Sequence, residues 1–170
     1  WSFEGRASRI TSDGWVDRAT SDLSSLYGRV AKRWETGRLS LTTTLGHERT
    51  YQAWYGVPQI AANPDSTEEA IRAWAAGSYE YSYGADTVRL NDLIERRGQH
   101  NYYRYENEVD DYRQDHVQVH LDQTFGDWTF GGVFYGTAGA GFYEQFRQKD
   151  DLVDYGIAPL IMGTDTAFTT

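Results

Sequence analysis

Histidines and carboxylates are the side chains of this chain most able to do chemistry, and their spacing limits what that chemistry can be. His116 and His120 lie in a stretch that alternates in polarity. Val117, Val119, Leu121 and Phe125 take one phase, and His116, Gln118, His120, Asp122 and Thr124 take the other. On a strand, residues four apart share a face but stand about 13 Å apart. That is too far to hold one metal unaided, since zinc needs three or four converging donors. The expected role of these two rings is hydrogen bonding on a polar face. His47 and His100 sit in no metalloprotease or nucleophile-elbow motif, and the chain has no cysteine, so thiolate chemistry is absent. Glu106, Glu108, Asp110, Asp111 and Asp115 supply the hard oxygens that calcium takes, but without EF-hand spacing. A solvated loop rim is the simpler expectation. No catalytic set emerges, so the reading is of a protein that is not an enzyme and needs no cofactor or metal.

Aromatic side chains are better placed to bind something. They cluster in three stretches: Tyr51, Trp54 and Tyr55, then Tyr102, Tyr103 and Tyr105, then Phe142 and Tyr143. Exposed rings take flat or sugar-like ligands by stacking. The competing roles are packing the loops together and forming an interfacial girdle. Arg49 and Arg113, with Arg104 nearby, add a preference for carboxylate-rich ligands. The candidate ligand contacts are therefore Arg49, Tyr51, Trp54, Tyr55, Tyr102, Tyr103, Tyr105, Arg113, Phe142 and Tyr143.

The elements that carry these residues follow from periodicity. The chain has 170 residues, a net charge of −9 and thirteen Tyr and six Trp. That acidity argues against a nucleic-acid partner, which needs clustered Lys and Arg. No apolar run is long enough for a transmembrane helix, and no basic-then-apolar leader opens the chain. Trp1 to Arg6 already alternates like the interior of a strand, so the N-terminus reads as a cut end. A mean hydropathy of −0.68 is compatible with a membrane barrel, whose strands need apolar residues only at every second position.

Five segments alternate with period two. Trp1, Phe3, Gly5 and Ala7 share a face in the first. Leu26, Gly28, Val30 and Trp34 do so in the second, and Leu39, Leu41 and Leu45 in the third. The Val117 stretch is the fourth, and the fifth sets Trp128, Phe130, Phe134 and Ala138 against Thr129, Gly131, Tyr135 and Thr137. Lys32 and Gln123 break the apolar phase. Glu35-Thr36-Gly37-Arg38 and Gly126-Asp127 read as tight turns with Gly where a positive φ is wanted. The other connections are long: Thr11 to Leu23, Val57 to Asp110, and Arg147 onward. Short and long connections alternate, so every long one falls at the same end of the sheet. Trp34, Phe125 and Trp128 flank the short turns on the apolar phase, as an aromatic girdle would. Within the longest loop, Ser66-Thr67-Glu68-Glu69 reads as a capping box opening a helix that Gly77 closes, and Asn91 to Gly98 reads as a second helical turn.

Four stretches then resemble one family. Ser12-Asp13-Gly14-Trp15-Val16-Asp17-Arg18-Ala19 with Ser21-Asp22-Leu23 resembles a loop after an early barrel strand in TonB-dependent receptors of the Bacteroidetes type. Glu48 to Pro58 (ERTYQAWYGVP), Tyr105 to His116 (YENEVDDYRQDH) and Gly139 to Phe146 (GAGFYEQF) are similar to later stretches of the same receptors, with Asp154-Tyr155-Gly156 following at a fitting distance. Tyr55 stands where the family pattern suggests Asn. The resemblance implies an all-β fold: antiparallel up-and-down strands forming part of a 22-stranded transmembrane β-barrel, with long extracellular loops carrying short helices. Residues 1–170 would be a partial barrel of about five strands, without the plug domain. The resemblance further implies outer-membrane lipid as a partner, and the TonB complex through the plug of the full-length protein. The cargo would be a scarce nutrient, foremost an iron–siderophore. The rival expectation is a soluble β-sheet carbohydrate-binding module that uses the Trp and Tyr rings.

Overall fold

A computed structural model describes residues 1–82, 87–147, 150–157, 160–162 and 165–167. The chain forms two compact units. One comprises Trp1–Gly56 and Asn101–Glu144, the other Val57–His100 and Gln145–Thr170.

The first unit is one five-stranded antiparallel sheet. Its strands are β1 (Ser2–Ser12), β2 (Ser21–Trp34), β3 (Gly37–Tyr51), β4 (Val109–Phe125) and β5 (Trp128–Tyr143), ordered β1-β2-β3-β4-β5. Neighbours in sequence are neighbours in the sheet, so the topology is up-and-down, and the five strands do not close on themselves. The strands run longer than the alternating segments suggest. β1 and β2 take both ends of the Thr11–Leu23 connection, leaving residues 13–20 as loop.

Register fixes the faces. Phe3 lies opposite Val30, Val30 opposite Leu41, Leu41 opposite Val119 and Val119 opposite Phe134. The five apolar phases, each legible separately, therefore merge into one continuous apolar face. A slip of one residue at any pairing would have turned a strand's apolar set to the other side. The two phase-breaking residues are accommodated at the edge of this face. Lys32 places its ammonium 5.4 Å from the centre of the Trp1 ring, a cation–π geometry. Gln123 accepts the Trp34 indole N–H at 2.9 Å through its Oε1 and donates to Thr36 Oγ1 at 2.9 Å.

The two short turns differ from each other. Gly126 has a φ of 57° and begins a two-residue hairpin turn of the kind whose first position demands glycine. Gly37, also expected to supply positive φ, does not. Its reason is space: a Cβ there would stand 2.6 Å from the Asp122 carbonyl oxygen and 2.7 Å from the Trp34 ring. Glycine is needed at both turns, for different causes.

Little on the apolar face is covered. Phe134 is 73% exposed, Trp128 73%, and Val117 and Leu121 more than 40%. The residues buried in this unit are instead mostly polar or at the ends of strands: Ser40, Gln52, Asn101, Tyr103, Glu108 and Val109. The sheet has no dry apolar centre of its own.

The second unit is helical with a small hairpin. Its elements are α1 (Gln59–Ala62), α2 (Glu68–Ala76), α3 (Tyr79–Ser82), α4 (Thr87–Arg96) and the short strands β6 (Leu160–Met162) and β7 (Asp165–Ala167), which pair antiparallel. Ile71, Ala75 and Leu93 are buried, and so is His100, which bonds Asp92 Oδ2 at 2.7 Å and the Tyr81 hydroxyl at 3.1 Å. The helix α2 corrects the capping expectation. Thr67, not Ser66, caps it, accepting from Ala70 N–H at 3.2 Å, so no glutamate occupies the reciprocal position of a capping box. Gly77 closes it as expected. The second helix begins at Thr87, before the predicted Asn91, and ends at Arg96.

Candidate ligand-binding site

The long-loop end of the sheet is held by a buried polar hub. Asn101 donates to the carbonyls of Asp17 at 2.8 Å and Gln52 at 3.0 Å, and its Oδ1 accepts from Tyr103 N–H at 3.0 Å. Gln52, fully buried, donates to the Glu144 carbonyl at 2.9 Å. The Glu108 carboxylate accepts the backbone N–H groups of Arg104 at 2.7 Å and Tyr105 at 2.9 Å. Burial without partners is costly for groups of this kind, and the hub supplies partners to all of these but Gln52 Oε1. With them, the hub fastens the loop 13–20, the end of β3, the loop 101–108 and the residue after β5 to one another. Four segments far apart in sequence thus converge in space.

Above this hub the aromatic residues divide. Trp54, Tyr55, Tyr102, Tyr103 and Tyr143 form one connected group of rings. Trp54 meets Tyr103 at 6.1 Å and Tyr143 at 5.9 Å, and Tyr55 meets Tyr102 at 4.5 Å and Tyr103 at 5.7 Å between centroids. Edge-on and tilted geometries of this kind suit ring quadrupoles. Tyr103 is buried beneath, while Trp54, Tyr55 and Tyr143 are about half exposed or more. The group therefore has a fixed base and an open aromatic surface.

The other candidates lie elsewhere. Tyr51 donates its hydroxyl to the Tyr105 carbonyl at 2.6 Å, a tie that holds the 101–108 loop, and burial pushes its phenol pKa up. The Tyr105 ring is exposed. Arg49, Arg113 and Phe142 are on the face that carries the apolar residues, because they share the parity of Leu45, Val117 and Phe134 in register. Arg49 there bonds Asp111 at 3.2 Å and Asn107 at 3.1 Å, and Arg113 pairs with Asp115 at 3.0 Å. His47 contacts Asp111 at 2.9 Å, and with Arg49 it holds that carboxyl below the usual range. Arg9 does the same for Asp22 at 2.8 Å. These ion pairs form a charged border beyond Leu26 and Leu45, where the apolar face ends.

The acidic run does not converge. Asp111 and Asp115 belong to the ion-paired border, Glu108 caps backbone amides, and no cluster able to hold a metal exists among the described residues. His116 and His120 lie on the polar face with hydrogen bonds to Thr137 and Gln114, and to Gln118, respectively. Gln52 and Asn101 are the site residues that local pattern misses. Each acts through partners far along the chain, which leave no periodic trace. No family model, no curated protein and no solved structure matches this chain.

Proposed function

We propose that the five strands are an arc of a closed outer-membrane β-barrel, of the TonB-dependent receptor kind. The observation that carries this is the single apolar face, continuous over five strands, uncovered by the described residues and bordered by ion pairs. On β5 the apolar phase from Trp128 to Ala138 runs about 34 Å at ~3.4 Å per residue. With strands tilted by about 40–45°, that is a height of roughly 25 Å, the thickness of the apolar band on such barrels. The strands exceed the ~9–11 residues needed to cross, and the excess lies at the long-loop end with the charged border. On this reading residues 1–7, 26–34, 39–45, 117–125 and 128–138 face hydrocarbon with one phase and a polar lumen with the other. The ring group around Trp54 and Tyr103 then contacts the cargo at the outer vestibule. The cargo of this reading is a scarce nutrient, foremost an iron–siderophore, taken up with energy from the TonB complex through a plug domain.

The test uses single-tryptophan forms of the full-length protein in vesicles whose acyl chains carry bromine. Fluorescence of Trp128 is expected to be strongly quenched and that of Trp54 spared. Equal fluorescence of Trp128 in brominated and ordinary vesicles would overturn the reading. The carbohydrate-binding alternative keeps one supporting observation, the open surface of the Trp54 group, and predicts no quenching at either position.

A further inference from the structure

The polar face has a second feature, at the opposite end from the rings and in a chain whose net charge is −9. Arg29 and Arg33 on β2 and Arg38 on β3 share this face, together with Ser2, Glu4, Ala31 and Ser40 by register. Ser2, Ala31 and Ser40 lie in one cross-strand row and make a floor of small side chains. Ala31 is only 9% exposed and Ser40 only 2%. Arg29, Arg33 and Arg38 line a cavity of about 560 Å³ there with Ser2, Glu4 and Ala31, and the edge-strand residues Trp1 and Phe3 complete its wall.

The charges of this cup do not balance. Arg38 pairs with Asp122 at 3.3 Å. Arg29 faces Glu4 across the strands without an ion pair, and Arg33 makes none among the described residues. Arg33 also lies directly opposite Arg38, an arrangement of like charges that weakens a sheet unless something offsets it. Elsewhere in the same sheet Arg9, Arg49 and Arg113 pair with Asp22, Asp111 and Asp115. Two planar five-donor groups without ion pairs, Arg29 and Arg33, beside the paired Arg38 and a small-residue floor are suited to bidentate binding of oxyanions.

We infer that Arg29, Arg33 and Arg38 form a seat for a compact multivalent oxyanion, a polyphosphate or polycarboxylate. The seat depends on the strand register alone, so it stands apart from the membrane reading and from the ring group. Titration calorimetry of the folded full-length protein with citrate and with inorganic pyrophosphate, at matched ionic strength, tests it. Binding is expected, weakened at least tenfold by R33Q and by R29Q, and less by R33K, which keeps the charge but not the fork. R9Q, which removes the same charge from the opposite face, is expected to leave binding unchanged. Three results would overturn the inference: no heat beyond that of sodium chloride, equal weakening by R9Q and R33Q, or binding of a polyglutamate peptide without binding of citrate.

Discussion

Replacing Val119 with arginine separates oil from water on the apolar face. Val119 lies opposite Leu41 and Phe134, with Leu121 and Val117 two residues away along the same face. The nearest carboxylate in its own strand on that face is Asp115, about 14 Å away at ~3.4 Å per residue, beyond reach of a direct ion pair. The position is near the middle of the apolar stretch, so the guanidinium can neither pair nor easily reach the border. Against hydrocarbon the cost is about 2–4 kcal/mol. Gln118, one residue away, lies on the polar face between Thr42 and Tyr135, and arginine there should cost no more than about 0.5 kcal/mol. The difference is a factor of roughly 10 to several hundred in the folding equilibrium. The assay is urea unfolding of the full-length protein in phospholipid vesicles, followed by tryptophan emission. Equal costs at 118 and 119 would refute the facing of β4. Two small costs would mean that Val119 meets water, and the membrane reading would fall with it.

Other consequences can be checked by the same measurement. Asn101→Ala removes three bonds of the buried hub and leaves their partners unpaired, a loss on the order of 2–4 kcal/mol; proteolysis should then cut within 13–20 or 101–108 first, and unchanged protection there would deny the hub its role. The Tyr112 ring occupies the space above Gly139 and Gly141, so Gly139→Ala should cost about 1–3 kcal/mol. In a Tyr112→Ala background the same change should be nearly silent, and additive costs would exclude the contact. Asp22 and Asp111 have lowered pKa values, so their ion pairs stabilise above the ordinary carboxylate pKa and lose that contribution as pH falls through the lowered values. Asp111→Asn should therefore flatten the acid side of the stability profile, and an unaltered profile would contradict the pairing.

Strand phase was readable because it is local. Each strand reports its faces every two residues, and two short turns leave little freedom in how neighbours align. Lys32 and Gln123 look like errors in that code until their partners are known, and those partners, Trp1 and Trp34, are aromatic residues at the same edge. The cap of α2 differs by one residue from the sequence expectation because Ser66 and Thr67 are adjacent hydroxyls that can both cap, and the geometry chooses the intrinsically weaker one. Gln52 and Asn101 were not readable at all, since amide side chains that bond distant carbonyls carry no period.

The division of the candidate site follows from the same parity. Proximity to the long-loop end groups Arg49, Arg113 and Phe142 with the rings. Parity separates them, because residues 49, 113 and 142 continue the phases of Leu45, Val117 and Phe134. A strand does not change its facing where its composition changes from apolar to charged. Arginines at the end of an apolar phase therefore border that face, whatever covers it, and Arg49 and Arg113 are already held there by Asp111 and Asp115. On the proposed function, the residues left for a cargo are Trp54, Tyr55, Tyr102, Tyr103 and Tyr143, a set without a positive charge. Such a surface selects by shape and stacking. If Trp54→Ala abolishes uptake while Arg49→Gln and Arg113→Gln do not, the parity argument holds. The reverse outcome would mean that the charged border, not the ring group, meets the ligand.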